Sequence, residues 1–384
     1  MSVERRLGVA AALVDGELVP GDIAVAGGEV VRVGLPGAGT GIAVPGFVDL
    51  QVNGFAGVDL LGAGDDDAWR HVARRLLDAG VTAWQPTLIT GPPERTTAAL
   101  RRVERLRHDD RPAARILGAH LEGPFIAAAR LGAHPAAHRR DPDTALLRAF
   151  LDAGPVSMVT LAPELPGALE LVDALVARGV TVSVGHSDAS AAEATAAFER
   201  GAAGATHLFN AMGGIAAREP GVAGVALAHP RVIVQCVADG VHLADETLRV
   251  ILAAARSRVA LVSDAMAAAG MGDGDHRLGE VAVRVREGRA TVADGTLAGG
   301  VGTVLDGVRR LVALGAPLAE AVAAATSAPA RLIGRRDAGA LRVGAVADVV
   351  VLAEDLSIRR VILRGAEVEA SGDRCGPQFD RPVT

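Results

Sequence analysis

Lysine is absent from the sequence, and all 39 basic residues are arginine. This absence excludes three kinds of chemistry. A phosphate-binding P-loop needs its lysine, a Schiff-base enzyme needs a lysine amine, and a binuclear metal site bridged by a carboxylated lysine cannot be built. The Arg-only, Ala-rich usage is typical of a compositional bias of the genome, but the chemical exclusions apply whatever its cause.

Cysteine is scarce, and long apolar runs are missing. Cys236 and Cys375 are too few and too far apart for a disulfide framework, which favours a reducing compartment. No uncharged window reaches the length that spans a bilayer. Asp15 and Glu17 interrupt the apolar N-terminal stretch, which makes it a poor signal peptide. We therefore expect a cytoplasmic protein without a membrane segment.

Concentrated charge of one sign is missing as well. The formal net charge is -6, and no long basic run occurs. A nucleic-acid-binding surface would need a concentrated basic face, so nucleic acid is not an expected partner. An anionic small molecule is compatible with this composition, because its recognition needs only one local cation.

The chain ends differ in pattern from the middle. With 384 residues the chain exceeds the usual limit for one hydrophobic core, which predicts a large domain and a small one. Short β-type runs at 22–25 and 29–33, separated by glycine turns, predict hairpins. The stretches 341–352, 358–363 and 365–368 predict strands and turns. We expect residues 1–45 and 337–384 to form one small β-sandwich domain, and 372–384 shows no periodicity.

Between these ends, short apolar strands alternate with Ala/Leu/Arg-rich helical stretches such as 67–77. This alternation is typical of βαβ units with parallel strands, and roughly eight units over about 290 residues fit a (β/α)₈ TIM barrel at residues 46–336. A doubly wound open sheet is the rival fold, but no glycine-rich dinucleotide fingerprint follows the first strand. The predicted strands include 80–83, 116–121, 156–162, 180–184, 205–208, 232–237 and 259–262.

Polar residues follow several of these strands directly. Active sites of TIM barrels form at the C-terminal ends of the strands, where Glu122, His186, His207 and Asp264 are expected. A carboxylate and two imidazoles from three strands can hold one catalytic metal ion and leave a position for water. Each residue alone has a structural explanation, such as a cap or a satisfied core histidine. One shared site explains all four residues more simply than four separate structural roles that all fall at the same end of four strands.

Seven ordered stretches extend this pattern through nearly the whole chain. They resemble the N-acetylglucosamine-6-phosphate deacetylase family of the amidohydrolase superfamily. HLEGPF and THLFNAM are specific to that family, whereas PGFVDL is shared with many amidohydrolases. The stretches are PGFVDLQVNG at 45–54, HLEGPF at 120–125, VGHSDA at 184–189, THLFNAM at 206–212, ADGVH at 238–242, SDAM at 263–266 and AATSAPA at 324–330.

The resemblance implies a role for each matching residue. Glu122, His186 and His207 correspond to the metal ligands, Asp264 to the general acid/base, and His134 to the residue that orients the substrate and polarises its carbonyl. The implied substrate is N-acetylglucosamine-6-phosphate, and the implied assembly is a homodimer whose neighbouring subunit donates Arg218 to the phosphate. The implied substrate-binding residues are Ala133, His134, Asn210, Ala211, Arg218, His242, Leu297, Ala298 and Gly299.

The first strand ends in Gln51-Val52-Asn53 where many amidohydrolases have His-x-His for a second metal. Amide side chains are weak metal ligands, so we expect one divalent ion per subunit, with zinc first and other divalent ions open. Other functions stay open at this point. They are a deacetylase for N-acetylgalactosamine-6-phosphate, a cyclic-amide hydrolase, which commonly needs His-x-His and a carboxylated lysine, and a non-catalytic scaffold. Residues 267–276 are compatible with either a mobile lid or a plain loop.

Overall fold

The computed structural model describes residues 3–37 and 39–369. Cys375, the aperiodic stretch 372–384 and the last part of the predicted small domain lie outside these residues. The six N-terminal strands are β1 (Arg5–Arg6), β2 (Ala11–Val14), β3 (Glu17–Pro20), β4 (Asp22–Ala26), β5 (Glu29–Leu35) and β6 (Ile42–Pro45). The predicted hairpin is confirmed, since β4 and β5 pair antiparallel.

The middle of the chain forms a barrel of eight parallel strands, and this confirms the predicted TIM barrel. Neighbours pair in the order β7, β10, β12, β13, β14, β15, β16 and β17, and a parallel bridge between Val52 and Ala265 joins the last strand region to the first. The strands are β7 (Phe47–Val52), β8 (Gly54–Phe55), β9 (Val58–Asp59), β10 (Val81–Ile89), β11 (Arg115–Ile116), β12 (Ala119–Glu122), β13 (Val156–Leu161), β14 (Thr181–Val184), β15 (Gly204–Ala205), β16 (Ile233–Cys236) and β17 (Val259–Leu261).

Helices follow the strands and cover the outside of the barrel. In the first helix, Trp69, Val72, Ala73 and Leu76 are buried at helical spacing, and Asp65 caps its start by accepting from the Ala68 amide at 2.7 Å. Among the described residues, no helix is long and apolar enough to cross a membrane. The helices are α1 (Asp66–Asp78), α2 (Pro93–Leu106), α3 (Thr144–Ala153), α4 (Ala168–Val176), α5 (Ala191–Glu199), α6 (Gly221–Ala228), α7 (Asp245–Ala255), α8 (Val304–Ala313), α9 (Leu318–Ala324) and α10 (Ser327–Leu332), with 3₁₀ turns at Ala128–Arg130, Ala136–His138 and Arg256–Arg258.

Three strands that the sequence did not predict interrupt the barrel after β17. β18 (Gly274–Leu278), β19 (Val281–Arg286) and β20 (Arg289–Thr291) form a separate antiparallel sheet. Just before it, Ala267 and Ala269 are buried. The stretch that the sequence left open as a lid or a loop is thus partly core and partly strand.

Strands from both chain ends form sheets apart from the barrel. β21 (Val349–Leu352), β22 (Ile358–Leu363) and β23 (Ala366–Val368) join the N-terminal strands in the order β23-β22-β21-β6-β2-β3, beside a sheet of β1, β4 and β5. Val349 and Val351 pack toward the smaller sheet, whereas Val350 and Leu352 pack into the barrel core, because strand side chains alternate between faces. Strands and turns are predicted for 341–352, and a turn at 343–344 precedes β21 there.

Candidate metal-dependent active site

Three side chains converge at the C-terminal end of the barrel. Glu122 is the last residue of β12, and His186 and His207 follow β14 and β15 by two residues. The Nε2 atoms of His186 and His207 lie 3.0 and 2.9 Å from Glu122 Oε1 and 3.1 Å from each other. All three side chains are buried, and their ligand atoms lie within 4.8 Å of one another. The structure therefore brings together the three ligands predicted from the sequence.

The protonation of this cluster fits a metal ion. His186 Nδ1 lies 2.8 Å from the Arg130 carbonyl oxygen, which places a proton on Nδ1 and leaves Nε2 as the ring nitrogen that faces Glu122. Burial raises the pKa of Glu122, but contacts with His134, His186 and His207 outweigh it, and the pKa lies well below its usual value. An ionised carboxylate facing two imidazole nitrogens is a donor set typical of catalytic zinc and related divalent ions.

Asp264 lies beside this cluster, three residues after β17. Its Oδ1 accepts hydrogen bonds from the side-chain amides of Gln51 at 3.0 Å and Asn53 at 2.9 Å. The same Gln51 nitrogen also donates to Glu122 Oε1 at 3.1 Å. Burial, followed by the negative charge of Glu122, raises the pKa of Asp264 to about 6. A carboxylate with this pKa is suited to exchange protons near neutral pH.

His134 is held in a neutral form at the side of the cluster. Burial and the neighbouring His186 lower the pKa of His134 to about 4. The Thr90 backbone amide donates to His134 Nδ1 at 3.4 Å, and the Thr90 hydroxyl lies 2.9 Å from the same atom. An accepting Nδ1 leaves the proton on Nε2, which lies 3.8 Å from Glu122 Oε2. The imidazole can therefore donate a hydrogen bond into the site.

A further histidine, His242, lies near Asp264. His242 Nδ1 lies 2.8 Å from Asp239 Oδ2, and His242 Nε2 lies 3.9 Å from Asp264 Oδ2. Burial lowers the pKa of His242, but the contact with Asp239 outweighs this effect and raises it overall. No role was predicted for Asp239, although its spacing of three residues from His242 was a usable signal.

A cavity of about 300 Å³ joins these groups. Every residue predicted from the sequence lines it except Arg218, which lies in an exposed loop and does not reach the cavity. Ile89, Phe209, Leu278 and Thr296 line it without having been predicted. Ile89 and Leu278 are buried apolar residues, which carry no chemical signal in the sequence. A larger cavity, about 640 Å³, lies between α1, β11 and β23 and contains none of the predicted site residues.

A hydrogen-bonded polar layer supports the site from inside the barrel. His120 Nε2 lies 2.8 Å from the Thr160 hydroxyl, which lies 2.8 Å from Thr206, and Thr206 lies 2.6 Å from Ser183. All four side chains are fully buried. Burial lowers the pKa of His120 to about 4, so this layer is uncharged. Satisfied buried networks of this kind fix the side chains around them.

Comparisons with known proteins agree with this geometry. The sequence model of the Amidohydrolase family matches residues 42–368. The chain is similar to the N-acetylglucosamine-6-phosphate deacetylase of Vibrio furnissii, at 36% identity over 84% of this chain and 82% of the relative. It is also similar to the N-acetylgalactosamine-6-phosphate deacetylase of Escherichia coli O157:H7, at 34% identity over 91% of this chain and 94% of the relative.

A solved structure has the same fold. It is a mutant N-acetyl-D-glucosamine-6-phosphate deacetylase from Mycobacterium smegmatis, in complex with N-acetyl-D-glucosamine-6-phosphate. The TM-score is 0.89 with 38% sequence identity, over 95% of this chain and 99% of the other. With the family match and the converging ligands, these likenesses show that the chain belongs to the amidohydrolase family, in its group of N-acetylglucosamine-6-phosphate deacetylases.

Proposed function

We propose that this chain hydrolyses the acetamido group of N-acetylglucosamine-6-phosphate to glucosamine-6-phosphate and acetate. The observation that carries the proposal is the convergence of Glu122, His186 and His207 beside Asp264 in one cavity. The resemblance of the motifs and the relatives' named substrates support the choice of substrate. The cytoplasmic location and the domain limits at residues 45 and 337 stay predictions.

Glu122, His186 and His207 would hold one divalent ion, which we propose to be zinc. When bound, such an ion polarises a substrate carbonyl and lowers the pKa of water. The amides of Gln51 and Asn53 donate hydrogen bonds to Asp264, and Gln51 also donates to Glu122. Because these nitrogens act as donors toward carboxylates, they support a single-ion site.

Asp264 would act as the general base and then as the general acid. It takes a proton from water as the water oxygen adds to the acetyl carbonyl carbon. Protonated Asp264 then gives this proton to the amide nitrogen as the C–N bond breaks, which releases acetate and the free amine. The donating Nε2 of neutral His134 would stabilise the negative charge that develops on the carbonyl oxygen.

The other cavity residues would bind the sugar and its phosphate. His242, oriented by Asp239, would contact the sugar, and Leu297, Ala298 and Gly299 would close the pocket over it. Asn210 and Ala211 would contact the phosphate, and Ala133 also lines the cavity. We propose that Arg218 reaches the phosphate of the neighbouring subunit in a homodimer, because in its own subunit it is exposed and outside the cavity.

An Arg218→Ala variant tests the phosphate assignment. A guanidinium binds phosphate through paired, charge-assisted hydrogen bonds. We expect KM for the phosphorylated sugar to rise far more than KM for its unphosphorylated analogue, with a normal thermal unfolding curve. Equal effects on both substrates would show that the phosphate binds elsewhere.

Deacetylation of N-acetylgalactosamine-6-phosphate is the second candidate function, favoured by the likeness to the E. coli O157:H7 enzyme. A panel of N-acetyl hexosamines, with and without 6-phosphate, assayed for acetate before and after chelation, tests both. We expect the glucosamine epimer to give the highest kcat/KM and chelation to abolish turnover. No acetate from any member would favour the non-catalytic scaffold instead.

A further inference from the structure

Ile89 lies beside the metal ligands but has no role in the reaction proposed above. It ends β10, is 4% exposed and lines the cavity. In the parallel pairing of β10 with β12, Ile89 is the register partner of Glu122. Side chains in register on neighbouring strands point to the same face, so Ile89 points into the cavity next to the Glu122 carboxylate.

Leu278 forms the adjoining part of the cavity wall. It ends β18, is 4% exposed and lines the cavity. The next residue, Gly279, has φ +57° and packs closely, since a Cβ there would lie 3.4 Å from Ile89 Cδ1 and from Leu61 Cδ2. Ile89 and Leu278 are therefore parts of one apolar wall, backed by Leu61.

Asp59 fixes this wall to the barrel. Its Oδ1 accepts a hydrogen bond from the Gly279 amide at 2.9 Å, and its Oδ2 accepts one from the Gly62 amide at 2.7 Å. The carboxylate thus ties the end of the β18 strand to the loop that precedes α1. A wall anchored in this way has little freedom to move aside for a larger group.

The geometry of an amide places its acyl chain on the side away from its nitrogen. The attacked carbonyl carbon must lie among Glu122, the two histidine ligands and Asp264, with the sugar on the side of His242 and Asn210. In the proposed reaction the acyl methyl group would then face the part of the wall beside Glu122 that contains Ile89 and Leu278. That wall is apolar, and a methyl group buried there is stabilised by contact with Ile89 and Leu278.

We propose that Ile89 and Leu278 determine acyl-group specificity and limit the substrate to short acyl chains. The inference rests on the proposed deacetylase function. It adds the residues that contact the acyl chain, a part of the substrate to which the sequence motifs assign no residue. Both residues lie outside the seven stretches that carry the family resemblance.

A set of glucosamine-6-phosphates carrying N-formyl, N-acetyl, N-propionyl or N-butyryl groups tests the proposal with the wild type, Ile89→Ala and Leu278→Ala. In each variant we expect the kcat/KM ratio of propionyl to acetyl substrate to rise about ten-fold or more, since one methylene in an apolar pocket has an effect of this size. Binding of the same compounds in an Asp264→Asn background should show the same change in preference without turnover.

Leu88→Ala is the matched control, because Leu88 precedes Ile89 in β10, is 1% exposed and does not line the cavity. Its acyl ratio should equal that of the wild type. If the wild type releases acetate but both folded variants keep the wild-type kcat/KM ratio of propionyl to acetyl substrate, the acyl-wall proposal is overturned and the deacetylase function stands. If the wild type hydrolyses none of the four compounds, the proposed function is overturned, and the acyl wall with it.

Discussion

The two oxygens of Asp264 lie in different surroundings. Oδ1 accepts from the amides of Gln51 and Asn53, whereas Oδ2 faces His242 Nε2 at 3.9 Å. Asp264→Asn keeps an accepting oxygen for the two amides but cannot take a proton. We expect kcat to fall about 10²–10⁴-fold, while metal content and thermal stability stay near wild type.

Acetate release, metal analysis and thermal unfolding measure these three properties of Asp264→Asn. Asp152→Asn, which changes an exposed carboxylate in α3, is the control and should match the wild type in all of them. Near-normal turnover of Asp264→Asn would remove this carboxylate from the mechanism. Loss of metal would instead make it a ligand.

The tautomer of His134 depends on Thr90. Thr90→Val removes the hydroxyl that lies 2.9 Å from His134 Nδ1 and keeps the side-chain shape. We expect kcat to fall about ten-fold with unchanged metal content, because His134 lies outside the ligand set and loses only its orientation. Steady-state kinetics with Thr96→Val, a buried threonine whose hydroxyl donates to the Pro92 carbonyl at the start of α2, provide the comparison. A rise in KM with normal kcat would contradict the proposed role.

The sequence predicted the charged and ligating residues of the site, but not the residues that hydrogen-bond to them or line the cavity around them. Glu122, His186, His207 and Asp264 were predictable because each follows an apolar strand and strand ends share one face of a barrel. The amides of Gln51 and Asn53 were interpreted only as poor metal ligands, and their hydrogen bonds to Asp264 depend on side-chain geometry that spacing does not reveal. Leu278 is one apolar residue among many, so only the fold assigns it to the cavity.

The backbone conformation at the strand ends also sets the direction of the functional side chains. His186, His207 and Asp264 have φ values of 49°, 26° and 49°, a conformation that costs non-glycine residues of order 1–3 kcal/mol each. The chain turns sharply there and directs each side chain toward the barrel axis. Backbone conformations of this kind occur at functional sites when the surrounding structure holds them.

The approach of β14 to β15 leaves no room beside Gly185, the residue before His186. A Cβ there would lie 2.7 Å from Thr206 Cβ and 2.9 Å from Thr160 Cγ2. We expect Gly185→Ala to displace His186, lower metal affinity at least about ten-fold and destabilise the fold by about 1–3 kcal/mol. Calorimetric zinc binding and thermal unfolding measure both effects. Gly64→Ala, where a Cβ meets nothing within 4 Å, should change neither, and tight zinc binding by Gly185→Ala would show that the strands can separate.

Element boundaries were less predictable than element types. The predicted strand at 116–121 is two strands, because Gly118 has φ +109° and the Leu117 amide bonds the Trp84 carbonyl before β12 begins. The predicted strand at 205–208 ends at Ala205, since His207 turns into the site. The sheet of β18–β20 was missed although β19 carries a strand signal, since its buried Val283 and Val285 alternate with exposed residues.

At the scale of the whole molecule, strands from the two chain ends join in one six-stranded sheet that packs against the barrel. β6 and β21 pair antiparallel, so the N-terminal strands and the C-terminal strands share hydrogen bonds across more than 300 residues of chain. Val350 and Leu352 extend the barrel core into this sheet. The sequence predicted that both chain ends form β structure together, because both ends change from helical to β-type patterns. It did not predict the order in which the strands pair.

An ion at the proposed site would connect β12, β14 and β15, and its removal should therefore lower the stability of the whole chain. A ligand that binds only the folded state stabilises it by RT ln(1 + [L]/Kd), so each ten-fold rise in free zinc above Kd should add about 1.4 kcal/mol. We expect chelation to lower Tm, zinc to restore it, and Glu122→Gln to lose most of this response. His71→Ala, an exposed histidine of α1, should keep the full response. Equal zinc dependence of Tm in Glu122→Gln and the wild type would show that the stabilising ion binds elsewhere, and the proposed ligand set would then be wrong.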